Sequence, residues 1–177
     1  MRLFKYEGYK LTISEEAMLL KPFKAIWKRD RTQNKEKALM ELGYCYFMED
    51  PRSDYQFIVD REDRSAQIKL GEGIPESWSP DEVVIQAMEF YSSFKTTSAL
   101  LLEDTRVLVD GYRTKLRAIT SDMSELDVKA VKEIGAIIKQ VPSMVKDLDE
   151  AERALAKELA QSDKVRGAQE KSMYEDL

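Results

Sequence analysis

The side chains that most often carry out chemistry are sparse in this chain. Its 177 residues include no histidine, which removes Ser-His-Asp and Cys-His nucleophile pairs, HExxH metal sites and imidazole proton transfer. The single cysteine, Cys45, can form neither an intramolecular disulfide nor a Cys-rich zinc site, so a reducing compartment is the natural expectation. Asp50, Asp54, Asp60, Glu62 and Asp63 lie close together and invite a test as hard-metal ligands. Their spacing does not match the Asp-x-Asp-x-Asp-Gly-x5-Glu loop whose glycine and terminal bidentate acid shape a calcium cage, so a surface turn and helix start is expected instead. Gly71-x-Gly73 lacks the third glycine and the preceding strand of a dinucleotide fingerprint. No catalytic residue, cofactor or metal is expected, and the chain is read as not an enzyme. A histidine-free enzyme built on paired carboxylates stays open only if a pocket raises the pKa of an Asp or Glu.

Charge offers more than reactivity. From Lys21 to Lys37 seven basic residues, Lys21, Lys24, Lys28, Arg29, Arg31, Lys35 and Lys37, face only Asp30 and Glu36, a local charge of +5 in a chain whose formal net charge is −5. Phe23 and Trp27 stand between the lysines. Such a segment can be a solvated helix face with Ile26 and Trp27 turned inward, a contact for an acidic protein ring, or a grip on nucleic-acid phosphates with the rings stacking on bases. For the last, the candidates are Lys24, Lys28, Arg29 and Arg31, which would have to share one exposed face.

Length and composition bound the elements that must position these residues. A 20.5 kDa chain, 43% hydrophobic and 34% charged with 7 Gly and 5 Pro, is a foldable, helix-rich domain or a domain with an arm. The acidic balance argues against coating nucleic acid with the whole surface. Charges every few residues after Met1 and the lack of an ~18-residue apolar run argue against secretion and membrane insertion.

The expected fold class is mostly α: a helical bundle with one long central helix, an N-terminal extended strand or arm (1–13), a helical domain (14–161) and a C-terminal arm or tail (162–177). Phe4, Tyr6, Tyr9, Leu11 and Ile13 mark the strand, with Gly8 interrupting it and no partner strand in view. Ser14 caps a short helix to about Leu20, Asn34 can cap the next, and Asp60 starts another that ends near Leu70-Gly71. Cys45 is a core position, and core is expected for two of Tyr44, Tyr46 and Phe47, the third being left open, because adjacent helical positions do not share one face. Ser79-Pro80-Asp81-Glu82 reads as a capping box with Pro at the first helical position.

From there, nine of eleven steps at helical period are apolar between Val83 and Ile119. One helix from about Pro80 to Ile119, roughly 60 Å long, follows. A hairpin over 105–116 turning at Asp110-Gly111 is the alternative. Ser124 can cap a helix whose apolar face, Val128 to Val141, is wide enough to pack on more than one side, with Pro142 ending it; a last amphipathic helix follows from Met144 to Leu159. Beyond Ser162 the pattern fails, and a neighbouring chain is the expected support for that polar tail.

Ile26-Trp27-Lys28-Arg29-Asp30, the helix ending Tyr44-Cys45-Tyr46-Phe47-Met48, and Asp50-Pro51-Arg52-Ser53-Asp54-Tyr55 resemble a ring protein of the head-to-tail connector in tailed, crAss-like bacteriophages. The resemblance covers Phe23 to Tyr55 specifically and elsewhere only the helical layout. It implies a virion structural protein, a portal adaptor in a homo-oligomeric, dodecameric ring at the head-tail junction, synthesised in the host cytoplasm. Implied partners are the portal, neighbouring tail proteins and, non-specifically, packaged DNA, with no membrane. On this reading Lys24, Trp27, Lys28, Arg29, Arg31, Asp50, Arg52, Asp54 and Tyr55 make inter-subunit contacts, and Arg29→Glu with Arg31→Glu should block assembly while leaving the monomer folded. The competing classes are a nucleic-acid-binding regulator using 21–37 and a scaffold or chaperone that keeps partner binding without residues 1–37.

Overall fold

The computed structural model describes residues 3–7, 10–120 and 128–171, and the chain divides into two compact units, residues 1–95 and 96–177. The architecture is mostly α-helical, with one short sheet among the described residues. The division falls inside the 14–161 span that the sequence suggests as one helical domain.

In the first unit the N-terminal segment is two strands, β1 (Phe4–Glu7) and β2 (Lys10–Ile13), paired antiparallel with Phe4 opposite Ile13 and Tyr6 opposite Leu11. The single strand read over residues 1–13 is thus two, and the partner of the first is a second strand of the same chain. The bond from Ser14 N–H to Leu3 C=O, 3.0 Å, closes the base of this hairpin. Residues i and i+2 share a face, and that face seats Phe4 against Phe23 and Tyr91 and Tyr6 against Phe47, at ring separations of 5.1 to 5.3 Å.

Ser14 caps α1 (Glu15–Leu19), its hydroxyl accepting from Ala17 N–H. The basic segment forms α2 (Lys21–Arg29), with Pro22 in its first turn, where the missing N–H costs nothing. Phe23 and Ile26 are buried on its inner face. Asn34 does not cap α3 (Glu36–Glu49). Lys35 holds the N-cap position in the left-handed region at φ 54°, and the carboxylate of Asp30 reaches forward to accept from Ala38 N–H at 2.9 Å.

Every residue from Glu41 to Asp50 is buried, so Tyr44, Tyr46 and Phe47 are all core. The one-face argument fails because α3 is enclosed on several sides, by α2, by the hairpin's aromatic residues, by α4 (Arg61–Gly71) and by α5 (Glu82–Ser92). Asp60 caps α4 as expected, accepting from Glu62 and Asp63 N–H at 2.8 and 2.9 Å. The cap of α5 lies two residues later than the capping-box reading places it: Asp81 accepts from Val84 N–H.

The expected helix from Pro80 to Ile119 is two helices. α5 stops at Ser92, turn bonds span Ser93 to Lys95, and Thr96 starts α6 (Thr97–Thr120), its hydroxyl accepting from Ala99 N–H. The apolar period spans the break because both helices happen to keep phase. α6 runs through Asp110-Gly111, so the hairpin alternative falls. α7 (Val128–Lys171) has 44 residues, about 66 Å. It continues through Pro142, which the sequence reading takes as a terminator, and through much of the expected tail; Ser124 and residues 172–177 lie outside the described residues. Thr96–Glu158, Arg106–Glu152 and Lys115–Glu133 side-chain pairs show α6 and α7 running antiparallel. Among the described residues, no helix is long and apolar enough to cross a membrane.

Candidate interaction surfaces

The sequence-nominated residues separate into two groups with opposite roles. Arg29 turns inward from α2. Its guanidinium lies 2.7 Å from Glu41 of α3 and 2.6 Å from Asp81 at the head of α5, tying three helices together. Glu41 is 1% exposed, and a carboxylate that deep persists only when a cation compensates it. Arg29 also holds the Asp81 carboxyl below its ordinary pKa.

Asp50 and Arg52 form a two-armed pair, 2.9 and 2.7 Å, and the Tyr91 hydroxyl donates to the same carboxylate. Burial opposes ionisation of Asp50, but the Arg52 bonds outweigh it and its pKa is lowered; burial beside that anion pushes Tyr91 far up. Tyr55 is half-buried, its ring edge-on to Phe47 and its hydroxyl donating to Glu72. That hydroxyl also occupies the space a Cβ at Gly71 would need, which accounts for glycine there. Arg29, Asp50, Arg52 and Tyr55 thus each have partners within the first unit. Trp27 is half-buried against the core, with Lys35 Nζ 5.9 Å from its ring centre.

Lys24, Lys28, Arg31 and Asp54 are exposed. Lys21 joins Lys24 and Lys28 as exposed cations of α2, at steps of three and four residues, and exposed Arg31 lies two residues beyond the helix's end. None of them makes an ion pair among the described residues, and α2 contains no acid.

The acidic stretch does not assemble into a cation site. Asp50 is spent on Arg52, Asp60 on the cap of α4, and among the described residues no three potential ligands gather to hold a metal. Asp30, Asp50 and Asp81 are all shifted toward permanent ionisation, Asp30 to about 2 through the Ala38 and Thr32 amides, the reverse of what a proton donor needs. Cys45 is fully buried, and burial pushes its thiol pKa up, away from the reactive thiolate. A surface groove of about 1010 Å³ between α4 and the 73–80 loop is lined by Tyr44, Met48, Ser65, Leu70, Ile74 and Met88 among others.

The second unit presents a different surface. Its buried cluster is Ala99, Leu102, Ala151 and Leu155, backed by Leu148 and Leu159. Against that small seam, Leu100, Leu101, Val107 and Leu108 on α6 and Val131, Ile138, Val141 and Val145 on α7 are 41% to 62% exposed. Residues seven apart share a helical row, so Leu100/Val107, Leu101/Leu108 and Val131/Ile138/Val145 are continuous apolar lines. The wide apolar face read from Val128 to Val141 anticipates the α7 line. On α6, Leu101 and Leu108 fall on the helical period between Val83 and Ile119 while Leu100 and Val107 lie off it, so that period does not reveal the second row; Lys132, Lys139 and Lys146, one row on α7, escape notice because no local charge excess marks them.

Comparison of the chain with protein-family models, with curated proteins and with solved structures finds no match in any of the three.

Proposed function

We propose that the chain is a structural subunit of a multi-chain particle, its first unit a rigid body and its second a docking element. The observation that carries this reading is the second unit's surface: seven large aliphatic side chains in rows, 46% to 62% exposed, around a core of a few residues. Contiguous apolar rows on a long helical hairpin mark a surface that another chain covers. In the first unit, by contrast, Glu41, Glu49, Asp50 and Arg64 are buried with their partners in place, which suits a body that keeps its shape while its hairpin binds. The resemblance over Phe23 to Tyr55 supplies the finer assignment, a ring of the phage head-to-tail connector below the portal. The test is imaging of intact particles carrying a tagged copy, with density for the tag at the head-tail junction as the expected result. A chain that stays out of particles and sediments alone in lysate overturns the reading.

A second reading has its own observation, the exposed cations Lys21, Lys24, Lys28 and Arg31, which make no ion pair among the described residues. Two of these sit in the first turn of α2, where the helix dipole disfavours cations, a placement that a polyanion would relieve. Duplex DNA binding that weakens steeply between 50 and 200 mM salt, and is lost on reversing Lys24 and Lys28, is what nucleic-acid contact requires.

A further inference from the structure

We infer that the apolar row Val131, Ile138 and Val145 of α7 is the seat of an acidic amphipathic helix contributed by a different protein. This rests on the docking reading above and names the chemistry of the partner that it leaves open.

Contacts within the hairpin locate the row. Glu152 lies seven residues beyond Val145 and so continues the same helical line, and Arg106 of α6 reaches it at 3.0 Å. The edge of α6 that carries Arg106 therefore runs beside this row. Arg113, seven residues further along α6, stands on that edge, exposed and without an ion pair among the described residues. The other border follows from successive steps of about 100° around α7. Ile137 is buried, Ile138 is exposed and Lys139 is exposed; Met144, Val145 and Lys146 repeat the order with Met144 half-buried. Lys132, Lys139 and Lys146 thus line the side of the row away from the seam. An apolar strip about 21 Å long lies between two cationic borders.

Charge selects the occupant. Over residues 105–119 α6 carries Arg106, Arg113, Lys115 and Arg117 against Asp110, and over 131–146 α7 carries Lys132, Lys139 and Lys146 against Glu133. Cations still exceed acids when Asp122, Glu125 and Asp127 of the connection, which lies outside the described residues, are counted. Along the strip, Arg106 has Glu152 and Lys146 has Glu150 at 3.6 Å, while Arg113, Lys132 and Lys139 make no ion pair among the described residues. A helix that lays aliphatic residues on the strip brings its flanking positions over both borders. Asp or Glu there meets a cation on either side, the pattern that fixes partner choice between packed helices. A second copy laid strip to strip sets lysine against lysine, and a nucleic acid leaves the aliphatic row uncovered. A bilayer is disfavoured by the opposite face. Leu101 and Leu108 share a row with Lys115, which pairs with Glu133 and stands roughly 180° around α6 from Arg106. Exposed apolar rows therefore occupy both faces of the hairpin, and a flat surface covers only one.

The test uses the full chain and the fluorescence anisotropy of labelled three-heptad peptides. The acidic probe has Leu at a and d and Glu at e and g, so that its own charges oppose self-pairing; a twin has Lys at e and g, and a third peptide scrambles the acidic composition. The acidic probe should bind about tenfold tighter than either control, or better. Ile138→Asp with Val145→Asp should abolish binding, and Arg113→Glu, Lys132→Glu and Lys139→Glu together should weaken it by about tenfold or more. Leu101→Asp with Leu108→Asp, on the opposite face, should leave it unchanged. All these positions are exposed, and unchanged far-UV ellipticity checks the fold. The inference is overturned by an acidic probe that fails to bind or binds no better than its controls, by an α7 variant or a charge-reversed variant that binds normally, or by loss of binding in the Leu101 and Leu108 variant. It is equally overturned if Ile138→Asp with Val145→Asp abolishes sedimentation with phosphatidylserine vesicles or self-association in light scattering, since a bilayer or a second copy then covers the strip. If the chain enters particles but the acidic probe does not bind, only this inference falls; if the probe binds and the chain stays out of particles, the particle assignment falls and the docking site stands.

Discussion

Lys95 Nζ donates to Glu49 Oε2 at 2.9 Å, and the two side chains are only 4% and 2% exposed. Arg61 shares the same carboxylate from the solvent side. Lys95→Met therefore strips the buried partner and leaves an exposed one, and should destabilise the first unit by about 3 kcal/mol in urea titration. Adding Glu49→Met should recover most of the loss, because the destabilised species is the uncompensated anion rather than the missing bond.

Reversing Arg29 tests a different aspect of the fold. Arg29→Glu would set a third carboxylate against Glu41 and Asp81, and a loss of about 3 kcal/mol or more is expected. The sequence-based expectation that Arg29→Glu with Arg31→Glu leaves the monomer folded is therefore withdrawn. Lys24→Glu, Lys28→Glu and Arg31→Glu, all at exposed positions, should leave the urea midpoint nearly unchanged. A stable Arg29→Glu protein would show that the three-helix tie is dispensable.

Acid should weaken the first unit in a defined window. Asp30, Asp50 and Asp81 have folded-state pKa values below their ordinary ones. Their stabilisation is complete above about pH 4, the unfolded value, and is lost as pH falls, for Asp30 through about 2. Stability measured from pH 7 to 2 should hold level and then drop below pH 4. Asp30→Asn should flatten that acid limb and lower the plateau at neutral pH, since the charged cap of α3 is gone.

The thiol of Cys45 should be silent toward a thiol reagent in the native protein and react stoichiometrically once urea unfolds it, because it is sealed within α3 with a raised pKa. Fast native labelling would place Cys45 in a locally open segment.

Pro142 lies inside α7 and is exposed. Pro142→Ala restores a backbone donor at a site that crowds nothing, so thermal unfolding followed by ellipticity should shift upward, by the equivalent of about 1 to 3 kcal/mol.

What the sequence discloses here depends on how far apart the cooperating residues are. Ser14 and Asp60 were legible as caps because each bonds amides two or three residues on. Asn34 misled because the effective cap, Asp30, reaches Ala38 from eight residues away. The basic segment was visible as charge, yet charge count cannot distinguish Arg29, whose partners lie 12 and 52 residues on, from Lys28, which makes no ion pair among the described residues. Periodicity found the helices but not the interruption at Ser93 to Thr96, since a break that preserves phase leaves no trace in it. The burial of Tyr44, Tyr46 and Phe47 together follows from four surrounding elements, which no window along the chain contains.

The partition into residues 1–95 and 96–177 places both tryptophans, Trp27 and Trp78, on one side of the boundary. Intrinsic indole emission therefore watches only the amino-terminal body, while most of the ellipticity at 222 nm comes from the two long carboxy-terminal helices. Two optical signals recorded in a single melt can thus compare the amino-terminal body with the whole helical content, without dyes or truncation. Non-coincident curves would reveal that one half opens while its companion stays closed.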